Sequence, residues 1–271
     1  MSDGLIALGK LALAIVVAVP LAIYFLQDRL VFFPQPLSEA ERAGIEQHFP
    51  GVRQLVLRSS DGKRIHAWYL GAVPGAPLVI YFGGNAESVA WMIPEAARHA
   101  PGVAWLLVDY RGYGGSEGAP SEAALFADAL RWYDYAAAEI KPGRIAVFGR
   151  SLGSGAAVFL AAQRTVSQVI LVTPFDSLVE VAKRHYPFLP VRLMLRHRFD
   201  SISRAGAIRA SLLCLAAQRD EIIPPSHARK LYDAWGGPKR WVELEEAGHN
   251  TTDSHPLFWQ NVASFLMKSA P

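Results

Sequence analysis

Ser151 has the sequence surroundings of a nucleophile. It lies in Gly149-Arg150-Ser151-Leu152-Gly153, a GxSxG pattern between the apolar residues 145–149 and a run of small residues. A nucleophilic serine of this kind sits on a strained turn from a strand into a helix, so its neighbours two positions away must be small. The N-terminus of that helix also favours the negative charge that develops during reaction. The pattern therefore predicts a nucleophile at Ser151.

A second GxSxG pattern surrounds Ser116, in Gly114-Gly115-Ser116-Glu117-Gly118. The preceding apolar stretch ends several residues earlier, and Ala119-Pro120 follows where a helix would have to begin. These glycines are typical of a flexible loop. We therefore assign Ser116 no catalytic role.

A serine nucleophile needs a general base to accept its proton, and an acid to orient that base. Of the eight histidines, His249 fits best, because it follows the predicted strand 240–246 and precedes the last predicted helix. Asp220, after the predicted strand 211–217, is the predicted acid. Glu221 and Asp176, each also placed after a strand, are the alternatives.

An oxyanion hole requires two backbone N–H groups near the nucleophile. The N–H of Leu152, directly after Ser151, is the first candidate. The second comes from the turn after the predicted strand 76–82, where the chain reads Phe-Gly-Gly-Asn-Ala. We predict the N–H of Asn85, with that of Gly84 as the alternative.

The elements that must position these residues follow from eight β-type runs, several of them wholly apolar, as strands covered on both faces are. Two early strands followed by strand–helix alternation predict an α/β fold with a mostly parallel sheet and helices on both faces. The segment 175–208 breaks the alternation and is predicted to form a small helical cap. The predicted strands are 52–59, 64–70, 76–82, 103–109, 144–149, 168–173, 211–217 and 240–246; the predicted helices are 87–99, 121–140, 152–164, 227–235 and 256–267.

Together, several motifs resemble a subfamily of membrane-anchored α/β hydrolases, related to prolyl-oligopeptidase-like and depalmitoylating serine hydrolases. They are LVFFPQP, GGNAE, VDYRGYGGSEGAPSE, GRSLGSG, TPFDS, PFLPVRLMLRHRFDS, QRDEIIP and AGHN, in that order along nearly the whole chain. The resemblance implies the α/β-hydrolase fold, an eight-stranded sheet, a triad of Ser151, Asp220 and His249, and no cofactor. The chain departs from the pattern at Gly83, where relatives often carry histidine.

The N-terminal residues 5–26 are apolar except for Lys10. As a helix this run would be roughly 33 Å long, enough for a hydrocarbon core of about 30 Å. We therefore predict a transmembrane anchor over residues 1–32, a linker over 33–50 and a catalytic domain over 51–271. The prediction places the protein in the cell membrane, and the flanking charges do not decide the side of the catalytic domain. The alternative is a cleaved signal peptide, although the one nearby Ala-x-Ala, at Ala12, lies inside the apolar run.

The composition argues against other classes of function. The net charge of +3 with pI near 9.0 is a mild excess without a basic stripe, so no nucleic-acid partner is expected. Cys214 is the only cysteine, which excludes an internal disulfide and a multi-cysteine metal site, and no metal is expected. It lies in the predicted strand 211–217, where we expect an inert core residue.

The predicted cap combines apolar and basic residues, which suggests a lipid-like or acyl-chain ester or thioester as the small-molecule substrate. The basic residues either form a solvated helical face or meet anionic lipid headgroups or a charged substrate. The apolar ones either line an acyl pocket or pack the cap. A peptidase acting on short peptides, an acyltransferase and a non-catalytic membrane scaffold are the alternatives. The basic residues are Lys183, Arg184, Arg192, Arg196, Arg198 and Arg204, and the apolar residues are Tyr186, Phe188, Leu189, Leu193, Met194 and Leu195.

Overall fold

A computed structural model describes residues 2–268, leaving out the side chains of residues 2, 3, 5, 6, 9 and 11–17. Eight strands form a single sheet in the order β1-β2-β4-β3-β5-β6-β7-β8. The first two pairings, β1 with β2 and β2 with β4, are antiparallel and the other five are parallel. The strands are β1 Val52–Arg58, β2 Arg64–Leu70, β3 Leu78–Phe82, β4 Ala104–Val108, β5 Ile145–Arg150, β6 Gln168–Val172, β7 Ser211–Ala217 and β8 Lys239–Leu244.

Helices lie on both sides of this sheet. A 3₁₀ turn, Val89–Trp91, precedes α3, and a π-helical turn, Ala136–Ile140, extends α4. The helices are α1 Ser2–Val31, α2 Glu39–His48, α3 Met92–His99, α4 Glu122–Tyr135, α5 Leu152–Gln163, α6 Leu178–His185, α7 Val191–Met194, α8 Ile202–Ala205, α9 Pro225–Ala234 and α10 Pro256–Met267. The eight-stranded, mostly parallel sheet predicted from the sequence is confirmed.

The wholly apolar strands explain the layers. Every residue of β3, β4 and β6 is buried, because helices cover both faces of the sheet. One apolar core joins the sheet to α4, α5 and α9, and a second joins it to α3 and α10. Cys214 of β7 belongs to the first core, where burial raises the pKa of its thiol.

The parallel strands place the functional residues at one edge. Strands β5, β6, β7 and β8 run in the same direction, so their carboxyl ends lie side by side. Ser151, Asp220 and His249 each follow the end of one of these strands. In an open sheet of this kind, ligands bind outside the carboxyl ends of the strands.

The segment 175–208 contains the three short helices α6, α7 and α8, between β6 and β7. The segment 33–50 contains α2, which begins with a capping box: Ser38 Oγ accepts from Glu41 N–H while the Glu41 carboxylate accepts from Ser38 N–H. The predicted linker segment therefore contains a short, capped helix.

The N-terminal helix α1 packs against the rest of the protein at its C-terminal end. Gln27 and Phe32 are buried, and the Gln27 side chain accepts from Arg196 N–H at 2.7 Å. Across the part of the chain that the structure describes, no helix is both long and apolar enough to cross a membrane. The predicted transmembrane anchor is therefore not supported, and the side chains of residues 11–17, within its apolar run, lie outside the described set.

Candidate active site

Ser151 occupies the turn between β5, which ends at Arg150, and α5, which begins at Leu152. Its backbone has φ 49° and ψ −118°, a conformation that costs energy for any residue with a side chain. The hydrogen bond from Ser151 N–H to Val172 O, 2.9 Å, ties the turn to the neighbouring strand β6. The turn therefore lifts the serine side chain out of the strand at the carboxyl edge of the sheet.

The two glycines of the GxSxG pattern permit close packing around this turn. A Cβ atom at Gly149 would lie 2.7 Å from the Cβ of Ala157, and one at Gly153 would lie 2.6 Å from Gly83 O. Real Cβ contacts are longer, so either substitution would push α5 away from the sheet. The requirement for small residues two positions from Ser151 thus has a direct steric cause.

The three predicted residues meet in one hydrogen-bonded chain. His249 Nε2 lies 2.9 Å from Ser151 Oγ, and His249 Nδ1 lies 2.7 Å from Asp220 Oδ2. When Nδ1–H donates to the carboxylate, Nε2 is the unprotonated nitrogen and can accept the serine proton. The arrangement has the order and geometry of a nucleophile, a base and an orienting acid.

Asp220 is held by backbone donors from its own loop. Its Oδ1 accepts from Ile222 N–H at 3.0 Å and from Ile223 N–H at 2.7 Å, and its side chain is 1% exposed. A buried carboxylate is tolerated because these bonds and the imidazole satisfy both oxygens. The carboxylate therefore fixes the direction of the His249 ring.

The two alternative acids lie elsewhere. Asp176 is buried against His227, with Oδ1 2.7 Å from Nδ1, and Glu221 is exposed. Burial acts to raise the pKa of Asp176, but hydrogen bonds from His227 and Ser177 N–H, together with the charges of His227 and Lys230, lower the pKa overall. His227, at the start of the predicted helix 227–235, is buried in this pair.

The predicted oxyanion donors lie beside Ser151. The N–H groups of Leu152 and Asn85 have no acceptor among the described residues, and both residues line the same cavity as Ser151. The alternative donor, Gly84 N–H, is engaged by Glu87 Oε2 at 2.7 Å. Of the two candidates in this loop, Asn85 is therefore the one with a free N–H.

Glu87 organises this loop, and no sequence pattern indicates its role. Besides Gly84 N–H, its carboxylate accepts from Tyr81 Oη at 2.6 Å and from Trp91 Nε1 at 2.7 Å. Burial, together with the charge of Glu87, raises the pKa of Tyr81 well above its usual value, so the hydroxyl remains a donor. Three hydrogen bonds to the Glu87 carboxylate thus hold the turn after β3.

Ser151, Leu152 and Asn85 lie in the wall of a cavity of about 520 Å³ whose lining is mostly apolar. Its walls come from α1, α6, α7 and the loop that follows Asp220. The lining residues are Ile23, Tyr24, Gln27, Leu30, Val31, Asn85, Ser151, Leu152, Phe175, Leu178, Val181, Ala182, His185, Tyr186, Leu189, Val191, Met194, Leu195, Ile222 and Ile223.

The cavity separates the apolar cap residues into two groups. Tyr186, Leu189, Met194 and Leu195 line it, whereas Phe188 is 96% exposed and Leu193 is 85% exposed. These two side chains neither line the pocket nor pack the cap, contrary to both expectations. The contribution of α1 to the cavity is not predicted from the sequence, because its apolar residues suggest a membrane span.

Ser116 has a structural role, because its buried hydroxyl is hydrogen-bonded to the backbone. Its Oγ donates to Asp109 O at 2.8 Å and accepts from His66 N–H at 2.8 Å, and the residue is buried. His66 Nδ1 in turn contacts Asp109 Oδ2 at 2.7 Å. The second GxSxG pattern therefore belongs to a hydrogen-bonded loop away from His249.

Comparison with known proteins agrees with this architecture. A family model described as alpha/beta hydrolase fold matches residues 77–201. The chain is 38% identical, over 253 residues, to an uncharacterized protein of Mycobacterium tuberculosis; the match covers 90% of this chain and 88% of that protein. It is 27% identical to an uncharacterized membrane protein of Saccharomyces cerevisiae, covering 98% of this chain and 95% of that one.

Solved structures share the fold. The esterase Pf2001 of Pyrococcus furiosus superposes with a TM-score of 0.68 at 16% identity, covering 89% of this chain and 98% of that chain. At this identity the similarity establishes a common fold and leaves the chemistry to the residues of the site.

The two buried aspartates provide a test of the acid. We expect Asp220→Asn to lower kcat for an activated ester by about 10⁴-fold, because the amide no longer holds the His249 tautomer that accepts the serine proton. Asp176→Asn, the matched control at a buried His–Asp pair, should leave kcat near that of the unchanged protein. Steady-state kinetics of both variants would check this, and a larger loss in Asp176→Asn would contradict the assignment.

Proposed function

Since this chain belongs to the α/β-hydrolase family, we propose that it is a serine hydrolase that cleaves carboxylic esters or thioesters. The observation that carries the proposal is the hydrogen-bonded chain from Asp220 through His249 to Ser151, in the wall of an apolar cavity. An unreactive role would not require a serine in a strained turn within 2.9 Å of a correctly oriented imidazole.

The first half of the reaction forms an acyl-enzyme. Ser151 Oγ attacks the carbonyl carbon while its proton passes to His249 Nε2, and Asp220 stabilises the resulting imidazolium. The carbonyl oxygen becomes an oxyanion that accepts from the N–H groups of Leu152 and Asn85. The tetrahedral intermediate then collapses, and the leaving alcohol or thiol takes the proton from His249.

The second half releases the acid. A water molecule gives its proton to His249 Nε2 and attacks the acyl carbon on Ser151, again forming an oxyanion in the same hole. Collapse of this intermediate returns the proton to Ser151 Oγ and frees the carboxylic acid. Removing one oxyanion donor from such a site commonly costs about 10²- to 10³-fold in rate.

The cavity favours an acyl chain as the group that is bound. Its volume of about 520 Å³ is within the usual range for ligand pockets, and most of its side chains are aliphatic or aromatic. A peptide would leave its backbone N–H and C=O groups without partners against such walls, which is unfavourable.

We further propose that the protein works at a membrane surface, in keeping with the resemblance to a subfamily of membrane-anchored α/β hydrolases and with the yeast relative. Exposed apolar side chains flank the cavity, with Phe188 and Leu193 from the cap and Phe25 from α1. Basic residues lie among them; the Arg196 guanidinium, for example, lies over the Tyr24 ring at 5.5 Å. Apolar insertion with basic contacts to anionic lipid suits peripheral binding and needs no spanning helix.

The nucleophile is tested by labelling with a fluorophosphonate probe. We expect the unchanged protein to be labelled, and Ser151→Ala to lose both labelling and ester hydrolysis, because among the described side chains no other serine is paired with His249. Ser116→Ala is the control and should remain labelled. Persistent labelling of Ser151→Ala, confirmed by mass spectrometry of the modified peptide, would identify a different nucleophile.

The acyl-chain preference is tested with esters from acetyl to decanoyl. We expect kcat/KM to rise with chain length, because each buried methylene contributes about 0.8 kcal/mol. Ala182→Phe fills part of the cavity and should lower the decanoyl-to-acetyl ratio by about tenfold, equivalent to two methylenes. Ala97→Phe, at an exposed position of α3, is the size-matched control. A flat or acetyl-preferring profile would refute lipid-like specificity.

Membrane association is tested by co-sedimentation with vesicles. We expect stronger binding to phosphatidylserine-containing vesicles than to pure phosphatidylcholine, and weaker binding after Phe188→Ser with Leu193→Ser, because fewer apolar side chains then insert. Val73→Ser removes an exposed apolar side chain elsewhere and serves as the control. Equal binding by the double variant and the unchanged protein would contradict a role of this surface.

A further inference from the structure

The end of the N-terminal helix is hydrogen-bonded to the loop that carries the oxyanion donor. Asn85 Nδ2 donates to Val31 O at 2.8 Å, and Phe33 N–H donates to Asn85 Oδ1 at 2.9 Å. The side chain of Asn85 therefore spans the last turn of α1 and the first residues after it. Its backbone N–H, in contrast, has no acceptor among the described residues.

Tyr113 completes this contact from a third segment. Its hydroxyl donates to Asn85 Oδ1 at 2.8 Å and accepts from Phe33 N–H at 2.9 Å. Burial raises the pKa of Tyr113 to about 12, so the hydroxyl keeps its proton at neutral pH. The loop around Tyr113 is held to the same segment, since Gly114 N–H donates to Gln35 O at 2.8 Å and Leu37 N–H donates to Gly114 O at 2.9 Å.

The oxyanion loop has a backbone conformation that needs such support. Ala86, directly after Asn85, has φ 56°, which is unfavourable for a residue with a side chain. Asn85 Oδ1 also accepts from Ala86 N–H at 3.1 Å. The amide group of Asn85 thus restrains both its own peptide and the strained residue that follows.

We propose that Asn85 is a positioning residue through which residues 31–33 and Tyr113 hold the Asn85 N–H at the oxyanion position. The N-terminal helix then helps to hold the oxyanion donor in position, in addition to forming one wall of the cavity. Fixed donors stabilise a developing charge because they need no rearrangement during reaction. If the donor is less firmly positioned, it stabilises the oxyanion less, whereas the substrate still binds. A substitution that weakens this positioning should therefore lower kcat. This inference rests on the proposed function.

A tyrosine pair provides the test. Tyr113→Phe removes the hydroxyl that joins Phe33 to Asn85, whereas Tyr133→Phe removes a hydroxyl that donates to Thr165 O at 2.6 Å, away from the site. Each variant would be measured for kcat and KM on an acetyl ester, for the rate of phosphonylation of Ser151, and for Tm. Asn85→Ala removes the whole link and is the stronger variant.

We expect Tyr113→Phe to lower kcat about tenfold and Asn85→Ala to lower it further, toward the 10²-fold that loss of an oxyanion donor costs. KM for the acetyl ester should change little, and the phosphonylation rate should fall with kcat. The pH dependence of kcat should keep its shape, since Ser151, His249 and Asp220 are untouched. Tyr133→Phe should match the unchanged protein.

The outcomes separate the two proposals. An unchanged protein that is neither labelled nor active would refute the proposed function itself. Activity in the unchanged protein together with an unaltered kcat in Tyr113→Phe, whatever its Tm, would refute the positioning role. If Asn85→Ala does not fold, Tyr113→Phe alone decides, because its aromatic ring still fills the same buried space.

Discussion

The strained backbone of Ser151, with its positive φ, is the constraint to which the rest of the site conforms. It exists because β5 must end and α5 must begin within one residue, with glycines at 149 and 153 permitting the helix to approach the sheet. The bond from Ser151 N–H to β6 fixes the turn in the plane of the parallel strands. The partners of Ser151 must then come from loops after other strands of the same edge, as Asp220 and His249 do.

Each polar group of the site is fixed by bonds that do not involve the reacting serine. Asp220 is held by the N–H groups of its own loop, and the oxyanion turn is braced by Glu87. A site whose members are restrained independently keeps its geometry as substrate enters and product leaves. The buried pair Asp176 and His227 follows the same rule one strand away, and among the described contacts no serine hydroxyl is hydrogen-bonded to His227.

Much of this arrangement was predictable because its signals are local. All eight strands were predicted from β-type runs, several of them wholly apolar, and Ser151, Asp220 and His249 follow strands in the expected order. The partner of His227 is 51 residues away, and the multiple bonds of Asn85 join segments far apart in sequence, so no local pattern indicates them. The apolar run of α1 was ambiguous, because a bilayer and a substrate cavity select the same side chains. Phe188 and Leu193 are apolar yet exposed, which no burial rule anticipates.

Helix α1 is hydrogen-bonded to the loop of Asn85 on one side of the cavity and to the cap on the other. Gln27, 3% exposed, donates to Met194 O and accepts from Arg196 N–H in the cap, while Asp28 contacts His197 at 2.7 Å. Deleting the first 33 residues to ease purification would consequently remove one side of the substrate chamber and expose the apolar lining that faces it. Such a shortened protein would be prone to self-association. Its measured kinetics would reflect an open cavity and not the enclosed one described above.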